Sequence, residues 1–381
     1  MLIVNRRRFV YGSGSVLAAP GLARAQTAEI AVGACLPLTG PLARQAEQAH
    51  AALKLAQDEI NAGGGLAGRK LKIVFEDTQA SGGGAAKAFA KLVKEIDPPL
   101  MFLSGAAAQV LAVEAIAAKA MLPVMHAAGA DDLQLRQNPY LFRLRPNDTV
   151  MAAALCLAVT RQMKAKRPGL LFVDDEFGRA SARFASAQFA AAGLETAAME
   201  AYDSRDDDVS RQLLRIKASG ADAIAAFTHI RDGALAVSGR RALGIDLPMA
   251  VSGGTADKAA LALLAEADLT NLYTVVDAVV DGAEDQRAAA YAKRFRSRAG
   301  LAPDASGASY YDGAMMLAQA IRRGGAERGS IRAALAGIDG YQGVAQTYRT
   351  DAAGNMAHAA AIAVFRPGTK DLALVDTFAL T

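Results

Sequence analysis

From Glu29 onward the chain alternates short apolar runs with longer segments in which apolar residues recur every three or four positions. Short runs rich in Val, Ile, Leu and Ala fit buried strands, and the longer segments fit helices packed on them. The pattern therefore predicts parallel strands joined by crossover helices. A strand over 29–35 is followed by the loop Leu36-Pro-Leu-Thr-Gly-Pro41 and a helix to about Asn61, stopped by Gly63, Gly64 and Gly65, which permit a left-handed cap. Strands at 70–77, 100–103 and 122–125 then alternate with helices at 84–94 and 109–120. The stretch 138–147 carries Pro139 and Pro146 and reads as an extended connection, after which the alternation restarts.

The second run predicts strands at 170–174, 195–202, 223–227 and 248–252, with helices near 178–192, 208–219 and 231–243. Gly193, Gly220 and Gly244 stand just past those helices, where they fit as stops. A strand at 272–280, helices at 285–299 and 306–323, and extended segments at 340–348, 359–366 and 372–379 complete the chain. The fold class expected is α/β, with two doubly wound parallel-sheet lobes of similar size. With 381 residues, 52% of them hydrophobic, the chain exceeds what one core usually serves.

Lys and Arg total 42 against 38 Asp and Glu, a net charge of +4, which raises a nucleic-acid partner. The excess is local. Residues 1–25 hold Arg6, Arg7, Arg8 and Arg24 and no acid, so 4 − 4 leaves the remaining 356 residues neutral. A basic start, an uncharged run from Phe9 to Ala23 and the ending Ala23-Arg24-Ala25 form an export signal, with cleavage expected after Ala25. Asn5-Arg6-Arg7-Arg8-Phe9-Val10 is similar to the twin-arginine motif, with Asn5 in place of the usual hydroxyl residue. Nucleic acid is not expected, and no uncharged apolar run reaches the ~20 residues of a membrane span, so stable membrane insertion is not expected either. Cys35 and Cys156 lie in apolar segments far apart and are expected to be buried free thiols.

Catalytic and cofactor patterns are weak. Gly63-Gly64-Gly65-Leu66-Ala67-Gly68 matches a dinucleotide fingerprint in letters, but a helix precedes it and a strand follows, the reverse of what pyrophosphate binding requires. Ser81-Gly82-Gly83-Gly84 lacks the Lys-Ser/Thr pair of a phosphate loop. Asp206-Asp207-Asp208 precedes a helix, where carboxylates favour the positive end of the dipole. Asp174 and Asp175 end a strand, the place where open α/β sheets bind ligands. With His229, they are the groups an enzyme would have to recruit. No enzyme, metal or cofactor is expected.

Several segments together resemble the periplasmic solute-binding proteins of branched-chain amino acid (Leu/Ile/Val-binding) ABC transporters, which have the type I periplasmic binding fold. They are 37–41, 58–64, 68–77, Phe142-Arg143 with Pro146-Asn147-Asp148, Phe177-Gly178, Gly220-Ala221-Asp222 and Tyr310-Tyr311-Asp312. The resemblance implies two lobes joined by a three-segment hinge, with lobe one at 26–145 and 282–338 and lobe two at 146–281 and 339–381. It also implies a periplasmic location, a small amino-acid or carboxylate ligand, and permease subunits as partners. A receptor module that senses the same ligand is the alternative.

Matched by position, the ligand carboxylate would meet Ala106 and the run Ala127-Ala128-Gly129, where backbone donors replace the family's hydroxyls. Phe177 and His229 would face the ligand from lobe two, Gln45 from the first loop. The acid that often meets the ligand ammonium falls at Gly253. A buried ammonium without its acid is costly, so aromatic or keto acids, or amides, compete with branched-chain amino acids as ligands. Alternatively carbonyls or Asp257 meet the amine.

Overall fold

The computed structural model describes residues 29–40 and 42–379; residues 1–25, the expected export signal, lie outside them. In the first half, β1 (Ile30–Leu36), α1 (Ala43–Ala62), β2 (Leu71–Asp77), α2 (Gly82–Ile96), β3 (Met101–Leu103), α3 (Ala107–Lys119), β4 (Val124–His126), α4 (Asp132–Leu135) and β5 (Leu141–Arg143) follow in order. They build a wholly parallel sheet of order β2-β1-β3-β4-β5. Next come α5 (Asp148–Leu157), β6 (Pro168–Val173), α6 (Glu176–Ala191), β7 (Ala198–Tyr202), α7 (Ser210–Ala218), β8 (Ala223–Phe227), α8 (Ile230–Ala242), β9 (Met249–Val251), α9 (Lys258–Leu261) and β10 (Leu272–Val276). The last third holds α10 (Gln286–Ala299), α11 (Ala305–Gly324), α12 (Arg328–Ala336), the hairpin β11 (Asp339–Gln342) and β12 (Thr347–Arg349), then β13 (Ala359–Phe365) and β14 (Leu372–Ala379).

Strands β7-β6-β8-β9-β10 repeat the first sheet's parallel order, and β13 and β14 extend that sheet as antiparallel strands. The second sheet therefore has seven strands against five, where equal parallel sheets were expected. A short hairpin-type return suffices for antiparallel neighbours, whereas a parallel strand needs a crossover. The turn after β13, held by Arg366 N donating to the Asp371 carbonyl at 2.8 Å, is such a return. Several short elements were missed: β5, three residues inside the proline-bearing connection, the four-residue helices α4 and α9, and α12, a nine-residue helix between α11 and the hairpin.

Helix starts follow side-chain chemistry. Ser81, Asn147, Asp175, Asp285 and Asp304 each accept a backbone N–H in the first turn of the helix that follows, satisfying donors that have no intrahelical partner. The glycine run at 63–65 ends α1: Gly65 has φ +75°, and a Cβ there would stand 2.3 Å from the Arg69 carbonyl oxygen. Helix capping, not cofactor binding, accounts for it.

The first core joins α1, α10 and α11 to one face of the first sheet, with Leu53, Phe102, Tyr291 and Phe295 buried. α2 and α3 cover the other face. Tyr348, Met356 and Ala357 also belong to the first core, although lobe two was expected to resume at 339. The hairpin stays with lobe one because Asp312, buried in α11, accepts the N–H groups of Val344 and Ala345 at 2.8 and 2.9 Å and the Tyr348 hydroxyl at 3.0 Å. Only at Ala359 does the chain re-enter the second sheet.

Two of the crossings between lobes are tied by one ion pair. Arg145 follows β5 and Asp277 follows β10; the guanidinium Nε lies 3.1 Å from both carboxylate oxygens and Nη2 lies 3.0 Å from Oδ1. The side chains are 23% and 12% exposed, so the attraction is only partly screened. Arg143 binds the third crossing: its N–H donates to the Gly354 carbonyl and its carbonyl accepts from Met356. Its buried guanidinium donates to the carbonyls of Gly129 and Ala130. Burial lowers its pKa to about 10.

Arg145→Met leaves Asp277 without its partner. It should lower unfolding free energy by about 2 kcal/mol in urea titration, with part recovered by adding Asp277→Asn; unchanged stability would contradict the tie. Cys35 and Cys156 are buried in different cores, and desolvation pushes both thiols up to about 12. Both should react with a thiol reagent only after denaturation, and rapid labelling of the native protein would contradict their burial.

Candidate functional site

Parallel strands send all their C-terminal ends to one edge, and in each sheet the order reverses beside its first strand. Loops leaving neighbouring strands there diverge and open a crevice. In the first sheet these are the loops after β1 and β3, in the second the loops after β6 and β8. All four line a single cleft of ≈ 1060 Å³ between the lobes, together with residues following β4, β9 and β10.

On lobe one, Ala106 is the N-cap residue of α3 and has no side-chain cap. The Ala107 N–H at the start of the helix therefore keeps its capacity for an external acceptor, at the positive end of the helix dipole. Ser104 supports the loop: its hydroxyl donates to Gln109 Oε1 at 2.7 Å and accepts the Ala106 N–H at 3.3 Å. Ala127 and Gly129 line the cleft, but Ala128 is fully buried in the core between α2, α3 and the sheet. The Ala128 N–H donates to Nδ1 of His126 at 3.2 Å, so that donor is spent internally. Desolvation holds His126 far below its usual range, at about 3, so it stays neutral. A Cβ at Gly129 would fall 2.1 Å from Asp148 Oδ1 and 2.6 Å from Arg145 Nη1, so any larger residue would displace these side chains. Gln45 lies on α1; its side chain is outside the described positions.

On lobe two, Phe177 and His229 form one aromatic shelf, their ring centroids 5.3 Å apart and the planes 29° from parallel. Asp175 orients the shelf: Oδ1 caps α6 at the Gly178 N–H, and Oδ2 lies 2.7 Å from His229 Nε2. Asp174 instead pairs with Arg179 at 2.6 Å in an exposed bridge. Gly253 backs the site, its missing Cβ leaving room for the Val275 carbonyl, which it would otherwise meet at 2.5 Å. Asp206, Asp207 and Asp208 are used in turns and in an ion pair of Asp207 with Arg231. Among the described residues no cluster of three or more His, Cys, Asp or Glu is placed to hold a metal ion, and no helix is long and apolar enough to cross a membrane.

Sequence reasoning missed the polar residues on the cleft's other walls. Gln48 from α1 donates through Nε2 to the Ala302 carbonyl at 2.9 Å, and Lys258 donates to the same carbonyl at 3.1 Å. Asp304 caps α11 at the Gly307 N–H, 2.7 Å away. Desolvation pushes its carboxyl up to about 6, opposed by that hydrogen bond. Arg145, Asp148 and Asp277 form the floor. No local motif marks these residues, since the chain separates Gln48 from Ala302 by 254 positions.

The raised Asp304 carboxyl gives stability that is complete below about pH 4, its unfolded range, and lost as pH rises through 6. The ligand-free protein should therefore lose this contribution between about pH 4 and pH 6, and Asp304→Asn, which preserves the cap, should show a smaller loss over that range. An identical pH profile for the two proteins in thermal melts would contradict this.

Residues 29–370 match the periplasmic binding protein family. The chain is similar to Leu/Ile/Val-binding protein homolog 8 of Brucella abortus (strain 2308), 28% identical over 240 residues that make up 60% of this chain and 59% of that protein. The matched stretch thus spans less than two thirds of the relative. A second relative, Leu/Ile/Val-binding protein homolog 3 of Brucella melitensis biotype 1, is 25% identical over 207 residues, 54% of this chain and 55% of that one. Among solved structures, the branched-chain amino acid transporter substrate binding protein LivJ from Streptococcus pneumoniae, in complex with isoleucine, superposes with a TM-score of 0.80 at 22% identity. The alignment covers 92% of this chain and 99% of that one. An ABC transporter substrate-binding protein from Sphaerobacter thermophilus gives 0.83 at 21% identity, covering 92% and 98%. These likenesses establish the fold.

Proposed function

The chain belongs to the periplasmic binding protein family, and from that premise we propose that it is the extracytoplasmic solute-binding component of an ABC importer. The family is one of solute-binding proteins rather than enzymes. The observation that carries the proposal is that the switch points of both sheets open into the same cleft. A solute held there touches both lobes at once only when they close. Its binding energy then favours the closed form, which the permease subunits would recognise.

The solute we infer carries a carboxylate. Its oxygens would face the uncapped start of α3 at Ala106 and Ala107, and its body would lie on the shelf of Phe177 and His229. Three acids of the cleft are already engaged: Asp277 with Arg145, Asp257 in the cap of α9, Asp304 in the cap of α11. No acid stands at Gly253 to meet a ligand ammonium. Aromatic and keto acids therefore fit better than a leucine-like zwitterion, whose desolvated ammonium would cost several kcal/mol without a partner.

Titration calorimetry on leucine, phenylalanine, benzoate-type acids and short amides tests this. Micromolar or tighter binding is expected for a carboxylate lacking an amine, and Phe177→Ala should weaken it by about 10-fold. Tight leucine binding with no response to amine-free acids would contradict the inferred solute.

A further inference from the structure

Lys258 and Ala302 come from opposite lobes: Lys258 opens α9 beside the second sheet, and Ala302 precedes α11, which packs on α1. We propose that Lys258 is the latch of the closed form, docking into an acceptor pocket built on lobe one. This rests on the hinge-closing function proposed above.

The pocket is prepared for a cation. Gln48 Nε2 holds the Ala302 carbonyl in place, and its other amide atom, Oε1, is buried with no hydrogen-bond donor. Gln48 is 7% exposed. A Cβ on Gly307 would lie 3.3 Å from that oxygen and 3.4 Å from Asp304 Oδ1, so the two acceptors border the same small space. The Gln48 amide oxygen and the Asp304 carboxylate thus border one space beside Gly307, and the Ala302 carbonyl is tied to the same Gln48 side chain. An ammonium carries three donors and no acceptor, and Lys258 reaches that carbonyl at 3.1 Å.

Charge across the gap explains why a lysine is needed. Asp257, the N-cap of α9, adds to the unfavourable field at Asp304, and Lys258 relieves it. Bringing the lobes together brings these two carboxylates together. The Lys258 ammonium offsets their repulsion, so closure depends on the residue at 258. Since Lys258 is exposed, the contact is sensitive to salt.

The test uses the ligand-free full-length mature protein and reads lobe separation by small-angle X-ray scattering, so it does not depend on the identity of the solute or on any solute binding. Lys258→Met should enlarge the radius of gyration relative to wild type at low salt, while the thermal midpoint shows that both remain folded. Asp304→Asn in the Lys258→Met background should return the radius part of the way, because the repelling pair is gone. High salt should enlarge the wild-type radius and reduce that of Lys258→Met, so that the two converge. A folded Lys258→Met protein with the wild-type radius at low salt, or no response to Asp304→Asn in its background, would overturn the latch. Absence of solute binding with these shifts intact would count against the solute-binding function alone.

Discussion

The chain leaves each parallel sheet at the C-terminal end of its fifth strand, from β5 at Arg143 and from β10 at Val276, and that constraint arranges everything else. Because both exits lie at the edge where strands end, the two lobes must face one another with those edges. The ion pair of Arg145 with Asp277 then joins the two exits directly. Neither residue needs to touch a solute to matter. Together they set the floor from which the walls of the cleft rise, and the glycine at 129 leaves space for the side chains of Arg145 and Asp148.

Two kinds of polar group line the resulting cleft, and their difference in engagement decides what it suits. Three carboxylates there have partners within the protein: Asp277 a guanidinium, Asp257 and Asp304 a helix start. The start of α3, by contrast, has no side-chain cap and favours an anion through its N–H groups and dipole. The stacked pair of Phe177 and His229 supplies apolar area with one polar edge, and Asp175 fixes its orientation. Anion on one wall and aromatic shelf on the other is the asymmetry that points to a carboxylic acid.

Much of this was legible in the chain because buried parallel strands leave an unmistakable apolar run. β8 was predicted residue for residue at 223–227. What escaped were features without periodicity: the three-residue β5, at the edge of the first sheet beside β4, and the antiparallel direction of β13 and β14. The hairpin at 339–349 was assigned to the wrong lobe because its anchor, Asp312, lies 32 residues before Val344. In the site, positions at strand ends were legible and their orientation was not. Ala127 and Ala128 are adjacent, yet one lines the cleft and the other is core. Gln48, Lys258 and Asp304 come from three distant segments and carry no motif.

The measurement that tests the central claim most directly is a crystal structure of the protein grown with an amine-free aromatic acid. The solute is expected between the lobes, its carboxylate within hydrogen-bond distance of the backbone N–H group at Ala107, the start of α3, and its ring against Phe177. A solute bound outside the cleft, or one inside it with its carboxylate turned away from α3, would contradict the account.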